Sequence, residues 1–382
     1  MKVLGLIMEA NPFHTGHEYY IKKAIELVKP NYVVCLMSGN YTMRGEVSII
    51  NKWDKAKIAI ELGCDLVLDF PTYLTVNSRD EFSQNAVKIL DKFGITHIAC
   101  GVETNDLQLL KKFAVMEMSE KFQAEIKNYL DEGLNYKTSA KRVMMKHFPD
   151  SISEYSLPNN TLAIGYLKGI KKAERKISPV LIERIFSSHF ATSLTDVHSS
   201  SSAIRRSISR GNIPSDYLLD LNINYLKEDN LNTELYSIFQ YVVSQSSLED
   251  LKKIKGINDG LENRIKKMIS SKNYDEFLET CETKRYPKNY LKRVIINTVG
   301  KVYKDNGYTT DYLRILKMNA KGISYLNSLN EETKKLIFYS MKEKKMREVE
   351  HELEMTKLYG IITKNPKIYE KEFNIGEVNE RK

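Results

Sequence analysis

Three hundred and eighty-two residues, 42% apolar and 28% charged, are too many for one small module and too apolar for wholesale disorder. No run approaches eighteen consecutive apolar residues, and the four scattered cysteines form no CxxC pair. A membrane span, a zinc module and a disulfide scaffold are therefore not expected, and a soluble, cytoplasmic protein is. The net charge of +9 is concentrated: residues 251–350 hold 23 Lys+Arg against 13 Asp+Glu, whereas residues 1–250 hold 29 against 30. A localised basic stretch is the electrostatic footprint of a polyanion partner, either nucleic acid or an anionic membrane surface. Lys-rich helix faces that are merely solvated are the alternative.

The first hundred residues alternate regularly. Val3–Met8 (VLGLIM) reads as a strand, and Ile21, Ala24, Ile25 and Val28 mark the buried stripe of a helix from His14 to Lys29. Tyr32–Met37 is a second strand, and Asn51 to Leu62 a second helix closed by Gly63. Asp65–Phe70 is a third strand stopped by Pro71, Glu81 to Phe93 a third helix closed by Gly94, and Thr96–Cys100 a fourth strand. Strands and helices at this spacing predict βαβ units, and strands that are apolar throughout predict a parallel sheet covered on both faces. Helical patterns fill 105–173, the last opened by Pro158-Asn159-Asn160, and Pro179–Ile185 reads as one more strand. Beyond about 210 strand signals vanish. Helical patterning with Lys-rich faces covers 232–245, 260–270, 288–303 and 330–357, and the tail after Pro366 is polar and expected to be loosely held. The expected architecture is an α/β catalytic domain over 1–210, then a mostly α-helical basic domain over 211–382.

The sharpest local signal is Asn11-Pro12-Phe13-His14-Thr15-Gly16-His17, where the first strand turns into the first helix. Ligands of open parallel sheets bind outside the carboxyl ends of the strands, and the N-terminus of the following helix favours phosphate. His14 and His17, three residues apart, can face the same side of the first turn, and Gly16 leaves room for a close approach. Two imidazoles so placed can stabilise charge gathering on a phosphate during substitution at phosphorus. A second element is Ser199 to Ile208 (SSSSAIRRSI): hydroxyls at a helix start plus a fork-shaped guanidinium make an anion clamp.

HTGH matches the HxGH motif of the nucleotidyltransferase superfamily, whose fold is a Rossmann-like parallel sheet. Ser200, Ser201, Ser202 and Arg205 occupy the positions of that superfamily's ISSTxIR motif. Further segments occur in order: GLIMEANPFHTGH from Gly5, MSGNYTMRGE from Met37, Lys52-Trp53, GCDLVLDFP from Gly63, Gly101 with Glu103, and PNNTLAIGY from Pro158. Together they resemble the tRNA(Met) cytidine acetate ligase family, which makes N4-acetylcytidine at the wobble position of elongator tRNA(Met) from ATP and acetate.

The resemblance implies that ATP is held by Ile7, Met8, Glu9, Ala10, Asn11, Pro12, Phe13, Gly16 and Tyr20, by Gly101, by an asparagine of the PNN segment (Asn159 favoured over Asn160) and by Arg184. It implies further that His14 and His17 act at the α-phosphate. Arg205 and Ser202 would hold the departing phosphates, with Mg2+ bridging them, and the basic domain over 211–382 would hold the tRNA by its backbone through residues 251–350. A small-molecule adenylyl- or cytidylyltransferase, and a non-catalytic RNA-binding protein on a nucleotide-binding fold, are the rival readings. Asp65, Asp69, Cys100, Trp53, His97, His147, His189, His198 and His351 are read as structural.

Overall fold

The computed structural model describes residues 1–184 and 200–374. Its centre is a seven-stranded sheet of β1 (Val3–Met8), β2 (Tyr32–Ser38), β3 (Leu66–Phe70), β4 (His97–Val102), β5 (Ser178–Glu183), β6 (Leu313–Met318) and β7 (Ile337–Phe338). The strand order is β5-β4-β1-β2-β3-β6-β7. All neighbours are parallel except β3 and β6. Alternate residues of one strand serve opposite faces: Leu4, Leu6 and Met8 enter one hydrophobic cluster, Val3 and Ile7 the other. A strand buried on both sides has no polar face to show, which is why these segments read as unbroken apolar runs.

Helices Thr15–Val28 and Lys52–Glu61 cover one face, and helices Arg79–Lys92 and Pro158–Lys172 the other. Their ends follow the expected chemistry. Asn51 accepts from the Trp53 and Asp54 N–H groups, and Ser78 forms a reciprocal cap with Glu81. Because β4 and β2 both flank β1, the strand order reverses there. The crevice of the sheet therefore opens beyond Met8, where the HTGH turn lies.

The structure corrects the expected boundary at 210. The chain after 210 is mostly helical, yet β6 and β7 join the sheet of the first domain, with β6 antiparallel to β3. Helix Arg347–Ile362 also returns to that domain: the Tyr359 hydroxyl donates to the Ser48 carbonyl at 3.0 Å, and the Tyr41 hydroxyl to the Met355 carbonyl at 3.0 Å. Nor is the segment after Pro366 loose. Glu372 is fully buried and pairs with Arg314 and with Lys52 (3.0 Å), while Lys52 also meets Asp69 at 2.9 Å. These charges sit in the core because each has its counter-charge, drawn from segments hundreds of residues apart.

Candidate active site

The turn that follows β1 is built from hydrogen bonds. His14 has extended backbone and caps helix Thr15–Val28, its Nδ1 accepting the Gly16 N–H at 3.1 Å. In return, the His14 N–H donates to Nδ1 of His17 at 3.3 Å, completing a capping box in which both capping side chains are imidazoles. An Nδ1 that accepts a backbone N–H cannot carry a proton. Both neutral rings are therefore fixed as the Nε2–H tautomer. Their centroids are 4.0 Å apart, and the edge of Phe13 braces His17 at 5.5 Å. Burial, aided by the charges of Arg184 and Lys55, pushes the His17 imidazole down to about 3. His17 is thus a neutral donor throughout the physiological range.

One expectation is overturned here. The helix does not present free N–H groups: that of Thr15 donates to the Tyr217 carbonyl at 3.0 Å, that of Gly16 to His14, and that of His17 to the His14 carbonyl at 2.8 Å. The Nε2–H of His17 is left to face a ligand, while that of His14 lies 3.1 Å from the Ser201 hydroxyl.

The serine segment does meet this turn. Ser200 caps helix Ser201–Ser209, and the Ser201 hydroxyl lies 3.1 Å from Nε2 of His14. Two helix N-termini and their dipoles therefore converge on one point. The contacting serine is Ser201; Ser202 is half-buried one residue further along. Ser199, His189 and His198 lie outside the described residues.

Arg205 reaches the site in a different way from that expected. Its guanidinium donates to the Asn11 carbonyl (2.8 Å), to Glu46 (3.0 Å) and to Glu228 (3.1 Å), and it is buried. With three acceptors already in place, Arg205 holds the motif loop from behind and does not lie open to a triphosphate. Glu46 also accepts from Lys292 at 3.2 Å. Burial alone would raise its carboxyl, but the charges of Arg205, Lys292 and Arg44 hold it at about 2. A carboxyl depressed in the fold contributes stability that is complete above its ordinary value of 4.5 and is lost as pH falls towards 2. Glu46→Gln should therefore show a shallower loss of stability across that window, measured by denaturant melts at stepped pH. An unchanged slope would disprove the pairing.

Lys55 went unnoticed in the sequence, and Glu46 entered only as the last residue of MSGNYTMRGE. Lys55 is fully buried, and its ammonium donates to the carbonyls of Glu9 (3.1 Å), Ser38 (2.8 Å) and Gly39 (2.5 Å), tying the ends of β1 and β2 together. The available signal was a lysine on the same helix stripe as Ala56 and Ala59. Glu9 is held by the Met43 N–H at 2.5 Å, and burial raises its carboxyl. Asn11 accepts through Oδ1 from Ser48 (3.2 Å) and Ile49 (2.9 Å), while its Nδ2 is buried without an acceptor. Ile7, Met8, Ala10, Pro12 and Phe13 are buried in the same turn, and Gly16 is half-buried.

Across the crevice, the Tyr20 hydroxyl donates to the Ala99 carbonyl at 2.9 Å, and the Tyr20 ring lies beside Gly101. A Cβ at Gly101 would meet nothing nearer than that ring, at 3.8 Å. The carboxylate of Glu103 accepts the N–H groups of Asn159 and Asn160. Asn160 is fully buried: its Oδ1 accepts from Glu103 and Thr104, and its Nδ2 donates to Thr104 and Glu154. Asn159 is half-buried and accepts from Arg184 at 3.3 Å. Asn159 and Arg184 thus remain at the surface of the crevice, whereas Asn160 is committed to the fold.

Of the residues read as structural, His189 and His198 lie outside the described residues, and three of the others are held by the fold. Asp65 accepts the Val33 N–H at 2.9 Å, burial pushes the Cys100 thiol up to about 12, and His351 packs against the rings of Tyr73 and Tyr308. Among the described residues, no helix is long and apolar enough to cross a membrane.

Comparisons with known proteins agree with this geometry. The HIGH Nucleotidyl Transferase family model matches residues 1–374. The tRNA(Met) cytidine acetate ligase of Acetivibrio thermocellus is 32% identical over 399 residues, covering 96% of each chain. That of Clostridium perfringens is 30% identical, covering 96% of this chain and 97% of its own. Thermotoga maritima TmcAL superposes over the full length of both chains at 25% identity, with a TM-score of 0.85 in its apo crystal form and 0.83 in the form bound with alpha-thio ATP. The chain belongs to the HIGH nucleotidyl transferases and, within them, to the tRNA(Met) cytidine acetate ligase family.

Proposed function

We propose that this protein activates acetate with ATP and transfers the acetyl group to N4 of the wobble cytidine of elongator tRNA(Met). A carboxylate oxygen of acetate attacks the α-phosphate and displaces pyrophosphate, giving acetyl-adenylate. The exocyclic amine then attacks the acyl carbon, AMP departs, and the amine loses a proton. The observation that carries the reading is the pair of fixed Nε2–H imidazoles at the switch point of the sheet. His17 would offer its Nε2–H to the charge that gathers at phosphorus, and His14 would act together with the Ser201 hydroxyl it meets; electrostatic stabilisation of this kind is the main contribution a protein makes to phosphoryl chemistry.

ATP would lie along the turn from Ile7 to Tyr20, with the nucleoside over Gly101 and against Asn159 and Arg184. Ser201 and Ser202 would meet the departing pyrophosphate. Among the described residues no three carboxylates, imidazoles or thiols converge as a metal cage. Magnesium would accompany ATP as the counter-ion of its phosphates and would help neutralise the charge of the departing pyrophosphate. Four buried free cysteines fit a cytoplasmic setting.

Mass spectrometry of nucleosides from elongator tRNA(Met), incubated with the protein, ATP and acetate, should show N4-acetylcytidine only when all components are present. Adenylation of a small molecule without RNA modification would instead favour a small-molecule transferase, and RNA binding without turnover a non-catalytic protein. Gly101→Ala should leave stability within about 1 kcal/mol, since the new methyl meets only Tyr20, yet raise the KM for ATP several-fold. An unchanged KM would remove Gly101 from the nucleotide site.

A further inference from the structure

Three half-buried arginines, Arg44, Arg79 and Arg293, come together beside the crevice, with Lys137 and Lys141 exposed at its edge. Arg44 precedes Gly45, whose positive φ of 79° lets the loop press so closely on helix Lys288–Val299 that a Cβ would fall 2.5 Å from Lys292 and Arg293 backbone atoms. Arg79 donates to Thr161 at 2.5 Å, two residues after Asn159 on the same helix. The guanidinium of Arg293 lies over the Tyr290 ring at 5.6 Å. Lys137 and Lys141 stand one turn apart on helix Tyr136–His147, and Asn135, which caps that helix, donates to the Lys284 carbonyl at 2.8 Å. None of these five cations forms an ion pair among the described residues.

They also repel one another. Desolvation and then the charge of Arg44 lower the Arg79 guanidinium, and desolvation followed by Arg79, Lys141 and Arg44 lowers the Lys137 ammonium. Carboxylates nearby, Glu46 for Arg44, Glu103 and Glu117 for Arg79 and Glu81 for Arg293, offset this only in part, and an arriving polyanion would relieve the remaining repulsion. The five come from four separate elements, a span suited to a phosphodiester chain more than to one triphosphate.

We propose that Arg44, Arg79, Arg293, Lys137 and Lys141 form the track for the sugar-phosphate backbone of the RNA substrate, guiding the reactive base into the crevice, an inference that rests on the ligase reading. Contacts of this kind position without reading sequence and release counter-ions, so they appear in the salt dependence of binding.

The test uses the full chain and an unmodified elongator tRNA(Met) transcript. Dissociation constants are measured by fluorescence anisotropy at several salt concentrations, beside acetate-dependent pyrophosphate exchange without RNA. The double variant Lys137→Glu/Lys141→Glu, both at exposed helix positions where folding is safe, should weaken transcript binding at least about tenfold. It should also lower the salt slope by about two, one per lost phosphate contact, with exchange kept within about twofold. Arg44→Ala should weaken binding in the same direction. Unchanged affinity and slope in both variants would overturn the proposal, and so would a collapse of exchange in step with binding, which would assign the cations to ATP. Wild-type protein that binds the transcript but shows no acetate-dependent exchange would defeat the ligase reading alone, and the binding data would still decide the track.

Discussion

His17→Ala is expected to slow acetate-dependent pyrophosphate exchange by roughly two to four decades, the effect of removing a donor that acts where charge develops. ATP affinity should fall far less, because the ring contributes most in the transition state. The capping box adds a second expectation. His17 also accepts the His14 N–H, so its removal frees the N-terminal turn and the orientation of the neighbouring ring. His17→Asn can in principle keep a polar contact at that position but has no Nε2–H to present, and it should recover stability without recovering rate. The pH profile offers an independent check. With the His17 imidazole held down at about 3, exchange should show no histidine inflection near 6.5 from this group. Near-normal turnover in His17→Ala would end the argument from the motif.

Arg205→Ala should destabilise the protein by about 3–5 kcal/mol, because it leaves the buried carboxylate of Glu46 without its main counter-charge. It should also impair turnover, since the Asn11 carbonyl loses the donor that holds the motif loop. Arg205→Lys should rescue only partly: one ammonium cannot meet Asn11, Glu46 and Glu228 in a fixed fork. The double variant Arg205→Met/Glu46→Met separates the two roles. Removing both charges should restore much of the stability, while activity stays low because nothing holds the Asn11 carbonyl. Denaturant melts and exchange assays read the two effects separately. If Arg205→Ala costs under about 1 kcal/mol and raises only the KM for ATP, the arginine faces the nucleotide after all.

Read by itself, the sequence determined the first sheet and the position of the chemistry. Strands covered on both faces must be apolar throughout, so β1 to β3 stand out as runs such as VLGLIM and YVVCLM. Helix ends carry their own signals in Gly63 and Gly94, and HTGH at a strand-to-helix turn marks the mouth of the crevice. What only the tertiary structure decided depends on partners remote in the chain. β6 (LRILKM) carries Arg314 and Lys317 and shows no clear period, because Arg314 is neutralised by Glu372 and the strand is ordered by β3. Lys52 and Lys55 look like solvent lysines until Asp69, Glu372 and three backbone carbonyls surround them. Arg205 reads as a phosphate clamp until Glu46 and Glu228, 159 and 23 residues away in sequence, occupy its donors. Asn159 and Asn160 are alike in sequence and both meet Glu103, but only Asn160 has its whole amide taken up, by the Glu103–Thr104 turn and the Glu154 carbonyl. Periodicity reports that a face is buried; the meaning of a charge or an amide depends on what it is buried against, and that is set by the fold.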